Sequence, residues 1–580
     1  MIRALVLLIT ASLALAAQAQ QAPAGNAHPD AQLVAEQQGV IVNPFGEPGG
    51  HNTASPDDKH AFAQLVDLSH LRSAAVFHNG RVKTMGTLAE ETVSQLTGKR
   101  RYDEPGKPAS NGKSLKLKYD PMFTLIDLAI DPVYYIDKPI IAVDFLPARR
   151  AFVEIAFPDD GSARERWTKL GRISPAMAVQ LGGQIFQTYE SDPAYRESIG
   201  MIDRRVGLYQ NNINNLLMVA PESKQDKWHH LSEWGSDTDL GAISRRLGDA
   251  WRAADADAVN TAIADLAAAL PAINTAQYPT SKLRVESLYN SLNAFEWGLW
   301  LYGFALVALM LAFGTGRKWI IGLGIAFLIS AIVMHATGFT LRCLVANRFA
   351  IQNQFESMTG LSLFAAIVGG ALMLYKKQWL FGAATAGVGF LVLITATQTG
   401  VPGKDIQNEA AILNTSVLLK YHVTTVLASY GLIALGFIVS LFYLGTHYMS
   451  KMRGADMQPL LAADALGIEE GKPTGVARTL SDLHTAQMSV LQLAFWTLGV
   501  GTLLGAWWAD HSWGRWWAFD PKETWALVTW IVYLIVIHVR FAGVKNPGLV
   551  TAWLSVIGFF IMLWTYFGVN LLLPGLHAYA

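Results

Sequence analysis

The stretch WWADHSWGRWWAFDPKETW, residues 507–525, holds six of the chain's eighteen tryptophans in nineteen positions. Arg515, Asp520, Lys522 and Glu523 are interspersed with them, and long apolar runs flank the stretch on both sides. It reads as a charged aromatic loop at a membrane boundary. Its second half has a local structural meaning. Asp520-Pro521-Lys522-Glu523 supplies a helix cap, a proline at the first helical position and a glutamate at the third. A helix is therefore expected to start at Pro521, with Asp520 and Glu523 acting mainly as capping residues. An aromatic belt accounts for a tryptophan or two at a helix end. A cluster of six around a glycine, an arginine and an acidic pair forms a platform. It suits a large flat apolar ligand with charged edges, because indole faces stack and Arg or Lys meets carboxylates.

Working outward from that loop, residues beyond about Phe295 are mostly long apolar runs. With 52% hydrophobic and 16% charged residues, the chain is too apolar for a soluble protein of 580 residues. Eight segments, at approximately 295–313, 319–339, 359–375, 379–398, 422–445, 489–508, 521–541 and 549–571, are each long enough to cross a bilayer with some tilt. The N-terminus, MIRALVLLITASLALAAQAQQ, has a positive start, an apolar run and a small-residue cleavage site. As a helix that run reaches only about 20 Å, short of the roughly 30 Å hydrocarbon core. Residues 1–19 are read as a signal peptide, with an uncleaved anchor as the alternative. Either one exports the segment after it. Arg317/Lys318, Lys376/Lys377, Lys451/Arg453 with Lys472/Arg478, and Arg540/Lys545 then all fall on the inner side, as the positive-inside rule requires. The tryptophan loop and the C-terminus fall outside.

Residues 20–54, rich in Ala, Gln, Gly, Pro and Asn, read as a flexible linker. From Ser55 the pattern is that of a folded domain. SPDDKHAFAQLVDL has a serine cap and a proline at the first helical position, and AAVFHNGRVKTM reads as two strands around an Asn79-Gly80 turn. In TLAEETVSQLTG, Thr87 and Glu90 are placed as a capping box and Gly98 as the stop. PIIAVDF reads as a further strand, and the helix SKLRVESLYNSLNAFEWGLW as running straight into the first span. The expected fold is an all-α polytopic membrane protein of about eight transmembrane helices, residues 291–580, preceded by a mixed α/β extracytoplasmic domain, residues 55–290.

Formal net charge is zero, which gives no bulk attraction to nucleic acid. The single cysteine, Cys343, excludes an intrachain disulfide, a cysteine-type zinc site and a C-x-x-C-H haem attachment motif. Histidine is the commonest partner of haem iron, and haem is the obvious flat ligand. His422 falls at the outer end of the fifth span and His577 just past the outer end of the eighth, both level with the tryptophan loop. His538 lies roughly 26 Å down the seventh helix from Pro521, near the inner boundary, where it either serves a site or snorkels. His335, in the second span, is as consistent with a hydrogen-bonded histidine between helices as with a functional one. His447, His484 and His511 read as solvated loop residues.

WGRWWAFDPKETWALVTWIVYLIVIH resembles the tryptophan-rich WWD signature of the CcsA (ResC) cytochrome c assembly proteins, in the form that separates CcsA from the related CcmF. HATGFTLR…NQFESM, YHVTTVLASYG and FGVNLLLPGLHAYA agree, so the resemblance spans roughly residues 290–580. NGRVKTMGTLAEE and LRVESLYNSLNAF resemble, more weakly, the exported region that precedes CcsA in fused CcsB–CcsA chains. The resemblance implies a protein that carries haem b across the cytoplasmic membrane and presents it on the periplasmic side. There the two thiols of a C-x-x-C-H apocytochrome c add across its vinyl groups. It implies His422 and His577 as external iron ligands flanking the loop, and His538 as the inner histidine. On this reading Trp508, Trp513, Trp516 and Trp517 are expected to pack the macrocycle, with Phe519 and Asp520 beside them in the same loop, and Arg515 or Lys522 is expected to meet a propionate. Phe519 stands where the family usually has tryptophan. A ResB/CcsB-type membrane portion is missing, so a separate partner is implied for the second inner ligand. The exported domain would dock that partner, the apocytochrome or a thiol reductant. Two other readings remain at this point: a transporter of another amphipathic solute, and a b-haem quinol redox subunit.

Overall fold

The structure, a computed structural model, describes residues 42–48, 54–108, 114–235, 237–376, 379–407, 417–452 and 476–573. The stretch expected to be a signal peptide, most of the expected linker and His577 lie outside the described residues. Two compact units part between Ser291 and Leu292.

The first unit is helical for most of its length. Its β structure, among the described residues, is three antiparallel ribbons of two strands each: Ala75–His78 with Arg81–Thr84, Asp103–Pro108 with Ser114–Lys118, and Ile141–Ala142 with Arg172–Ile173. The expected hairpin forms around Asn79 and Gly80, both at positive φ. The PIIAVDF strand shrinks to two residues because Pro147 starts a helix, Leu146–Ala156, almost at once. The cap of the helix Met85–Thr97 is Thr84 rather than Thr87. Thr84 is still extended from the preceding strand, and its hydroxyl accepts the Thr87 N–H. Gly98 ends that helix in the left-handed region, as expected.

Part of the expected linker is docked. Phe45 is buried in the core, Asn43 donates to the Ala129 carbonyl at 2.9 Å, and Arg252 donates to the Phe45 carbonyl at 2.6 Å. One aromatic anchor in a polar stretch is enough to overrule its composition.

The two motifs NGRVKTMGTLAEE and LRVESLYNSLNAF meet in this unit. Arg81 pairs with the buried Glu286 at 3.1 Å, and the Thr87 hydroxyl donates to the same carboxylate at 2.9 Å. Beside them Lys83, bound to Glu91, also donates to His78 Nδ1 at 3.3 Å, a bond that requires neutral imidazole there. Burial first, then the charges of Lys83 and Arg81, push the His78 pKa down to about 4. A depressed pKa makes the unfolded chain bind the proton first, so stability is full above about pH 6.5 and is lost as pH falls toward 4. Allowing for partial exposure, the loss is expected to be on the order of 1–2 kcal/mol. His78→Asn should flatten the pH dependence of the melting temperature in that window, and an unchanged slope would refute the assignment.

The second unit is a multi-pass helical membrane domain. Its eight long helices among the described residues are α1 (Ala294–Thr315), α2 (Lys318–Ala346), α3 (Gln354–Lys376), α4 (Trp379–Gln398), α5 (Val417–Met452), α6 (Val476–Trp513), α7 (Pro521–His538) and α8 (Pro547–Leu563). Nine described helices are long and apolar enough to cross a membrane. The ninth, Ala256–Ile273, belongs to the first unit and buries Val259, Ile263, Leu266 and Leu270 in that unit's core. The helix expected to run unbroken into α1 is interrupted at Asn293, which takes φ 49°, a conformation asparagine tolerates.

Small residues set the close contacts inside the bundle. A Cβ on Gly431 of α5 would lie 2.6 Å from the Leu361 carbonyl of α3, and one on Gly389 of α4 would lie 2.8 Å from the Tyr302 ring of α1. The 36 residues of α5 and 38 of α6 make helices of about 54 and 57 Å, well beyond the hydrocarbon thickness. They continue through polar residues past the apolar windows. His447, His484 and His511 therefore lie in helices rather than loops, and His447 is buried.

His335 is fully buried, with Nε2 at 3.0 Å from the Thr359 carbonyl and Nδ1 at 3.3 Å from the Tyr302 hydroxyl. Both nitrogens are committed, which makes it a helix-bridging residue. One helical stretch further, the fully buried Arg342 meets Glu356 at 3.1 Å and donates to the Gly403 and Lys404 carbonyls at 2.7 and 2.8 Å. Arg348 meets the same carboxylate at 2.6 Å. This clamp ties the loop 399–407 to α2 and α3. Glu356→Gln leaves Arg342 buried without a counter-charge and is expected to cost about 3–5 kcal/mol. A melting temperature in detergent within about 1 °C of wild type would contradict that.

Candidate functional site

The end of the bundle that carries the tryptophan loop is built by the last turns of α6 and the first turn of α7. Gly514 stops α6 at φ 69°, its N–H bonded to the Asp510 carbonyl at 2.9 Å. Asp520 caps α7 by accepting the Lys522 N–H at 3.2 Å, and Glu523 reaches back to the N–H groups of Ala518 and Asp520 at 2.8 and 3.4 Å. Asp520 is buried and engaged in this cap. The capping box holds the loop down on the helix, and Phe519 beside it takes φ 55°. That left-handed conformation costs a bulky residue on the order of 1–2 kcal/mol. It turns the Phe519 ring outward, 81% exposed.

The loop tryptophans fall into two sets. Trp508 is buried, edge-on to the half-buried Trp513 at 5.0 Å between centroids, and its indole N–H meets no acceptor among the described residues. Trp516 is 55% exposed and stands with Arg515 and Phe519 on the open side, while Trp517 is half-buried. The structure thus joins Trp508 to Trp513 and leaves Trp516 and Phe519 exposed. His511 is exposed, its Nδ1 3.0 Å from the Trp507 carbonyl.

His422, in the second turn of α5, lies against α6. Its Nδ1 is 2.7 Å from the Gly501 carbonyl, which can only accept. In the neutral ring the proton therefore sits on Nδ1 and the lone pair on Nε2, the tautomer in which Nε2 is the ligating nitrogen of a metal-binding histidine. The ring occupies space that Gly505 leaves: a Cβ there would lie 2.5 Å from Cε1 and 2.7 Å from Nδ1. Gly501, Gly505 and Trp508 share one face of α6, so the imidazole lies about one turn, roughly 4.5 Å, below the buried tryptophan. The glycines are a site feature that reading by histidine and tryptophan passed over. The signal was present as G-T-L-L-G at 501–505, a small-x-x-x-small pattern for close helix approach.

α8 ends toward the same loop. It passes into a π turn, Trp564–Gly568, a widened turn frequent at functional positions. There Thr565 bonds the Thr529 hydroxyl of α7 at 2.8 Å and the Trp525 carbonyl at 3.2 Å, and Trp564 packs edge-on to Trp525. Tyr566 bonds Ser357 of α3. The last described residue is Leu573, four positions before His577. His538 is at the opposite end of α7, exposed, with Nδ1 2.7 Å from the Leu534 carbonyl. The structure does not bring it to His422.

A polytopic helical membrane protein with a capped tryptophan loop and a backbone-oriented histidine beneath it is the class that this geometry defines. The family described as cytochrome C assembly protein matches residues 288–577. The chain belongs to that family, and its role is in cytochrome c biogenesis. It is 30% identical over 315 residues to the cytochrome c biogenesis protein CcsA of Trieres chinensis, covering 51% of this chain and 98% of that one. CcsA of Synechococcus sp. (strain RCC307) is 30% identical over 300 residues, 49% of this chain and 94% of that protein. Protein NrfI of Wolinella succinogenes is 31% identical over 252 residues, 43% of this chain, and the match spans a quarter of NrfI's own length.

Proposed function

We propose that this chain holds haem b at the tryptophan end of its membrane domain and presents it there for thioether attachment to a C-x-x-C-H apocytochrome c. The observation that carries the reading is His422, whose tautomer is set by the Gly501 carbonyl and whose ring is seated over Gly505. That end faces the periplasm, with the domain 55–290 on the same side of the cytoplasmic membrane and 291–580 forming the membrane domain.

His422 Nε2 is one iron ligand and His577 the other. Trp516, Trp517 and Phe519 cover one face of the macrocycle, Trp508 and Trp513 support them, and Arg515 or Lys522 meets a propionate. Bound cargo brings the vinyl groups that the apocytochrome thiols add to. The chain's own contribution is positioning and the exclusion of water, which can supply much of a rate enhancement. His538, exposed at the far end of α7, serves an inner site completed by a separate ResB/CcsB-type subunit. The exported domain docks that subunit, the apocytochrome or a thiol reductant.

The test is a pyridine haemochrome assay and absorption spectrum on the detergent-purified chain, produced alone and with its partner subunit. The expected result is b-type haem at a substantial fraction of one per chain. Protein that is haem-free in both preparations refutes the reading.

A further inference from the structure

α5, α6, α7 and α8 make a closed ring of contacts, α5 on α6, α6 on α7, α7 on α8 and α8 on α5. Each helix sends a buried polar side chain inward whose hydrogen-bonding atoms meet no partner among the described residues. They are His447 Nδ1 from α5, both amide atoms of Gln487 from α6, the Tyr533 hydroxyl from α7, and the Thr551 and Ser555 hydroxyls from α8. Gln487, Tyr533, Thr551 and Ser555 are all at 0% exposure.

Their heights agree. Tyr443 of α5 and His484 of α6 both abut Gly548, where a Cβ would lie 2.5 Å from the tyrosine hydroxyl and 3.2 Å from His484 Nδ1. One turn further toward the loop, Gln487 and Thr551 are level, each three residues on. Ser555 comes next, and Tyr533 abuts Gly558, about 15 Å above Gly548. His447 lies one turn the other way, and Lys451 one turn beyond it at the end of α5. The result is a polar seam of about 20 Å inside the ring.

Unmet polar groups are costly anywhere in a protein interior and more so in a membrane, where lipid offers no replacement. A single group of this kind is a local irregularity. A run of them, one or more from each of four helices, defines a ligand. That ligand must donate to Gln487 Oε1 and accept from Gln487 Nε2 within one turn, and it must suit hydroxyls that do either. A bare cation or anion meets only half of these needs, and among the described residues no ionised side chain lies along the seam between His484 and Tyr533. We propose that the seam is a built water site: a short file of ordered waters from His447 to Tyr533. The file ends about 15 Å short of the level of His422. It is therefore a one-ended hydrated recess and not a pore.

Hydroxyl-radical footprinting by X-ray radiolysis, on the full chain in lipid nanodiscs, reads bound water directly, because side chains beside it are oxidised despite burial. Tyr302 is the internal control, equally buried but bonded to His335. Tyr533 is expected to be oxidised at least about tenfold faster than Tyr302, and Gln487→Leu to cut the Tyr533 rate at least about threefold by removing two water partners. Ser555→Ala carries the same readout at smaller structural cost if Gln487→Leu does not fold. Oxidation of Tyr533 at the Tyr302 rate overturns the proposal. So does a melting temperature raised by Gln487→Leu, since only a dry seam gains from losing an unpaired amide. None of these readouts involves haem, so the proposal fails or survives independently of the assembly reading.

Discussion

His422→Gly is expected to lower the haem recovered with the purified chain by at least about tenfold, the scale seen when a ligand or its orienting partner is removed. The effect follows from tautomer control. Gly501 is helical, yet its carbonyl accepts a hydrogen bond from His422 Nδ1 at 2.7 Å, so in the neutral ring the lone pair is on Nε2. The ring is only half-buried, and the change removes one α5–α6 hydrogen bond and places a glycine in the helix, so the melting temperature should fall by no more than a few degrees. Free imidazole should restore part of the signal by entering the space vacated. Haem content equal to wild type would remove His422 from the site.

Gly505→Ala should do similar harm without touching the histidine. The added Cβ would sit 2.5 Å from His422 Cε1, closer than real contacts allow, and the clash falls on a side chain, which yields before backbone does. Rotation breaks the bond to Gly501 and misdirects Nε2, so haem retention is expected to fall by about tenfold while the fold survives. Gly501→Ala is the contrast. Its Cβ would meet Val426 Cγ2 at 2.8 Å and the Val426 backbone N at 3.1 Å, a clash that no side-chain rotation relieves. That variant is expected to lose about 1–3 kcal/mol of stability as α5 is pushed from α6. If Gly505→Ala holds haem as well as wild type, the glycine is there only for helix packing.

The elements that could be read in advance were those whose cause is local. Asp520-Pro521-Lys522-Glu523 specifies its own cap whatever surrounds it, and the helix does start at Pro521. Asn79-Gly80 specifies its turn for the same reason. The apolar runs of α1 to α8 are read from length alone, because lipid demands about twenty apolar residues from any spanning helix. Readings failed where a neighbour decides. Thr87 looks like a cap until the preceding strand is seen to deliver Thr84 to that place. Phe45 looks like linker until a core accepts it. His447 looks solvated because a hydropathy window stops where the helix does not.

The site divides in the same way. Composition marked the tryptophan loop, and membrane periodicity placed His422 at the level of that loop, since both depend on position along the chain. Which nitrogen of His422 carries the proton, which glycine makes room for its ring, and which tryptophans are buried or exposed depend on α6 lying against α5. The His422–Gly501 bond alone joins residues 79 positions apart. The chain by itself determined that this is a membrane bundle with an aromatic, charged end, because lipid and helix caps act on neighbouring residues. Tertiary structure decided how that end is oriented and where the bundle's polar interior lies, because a hydrogen bond or a steric gap between two helices is a property of the pair.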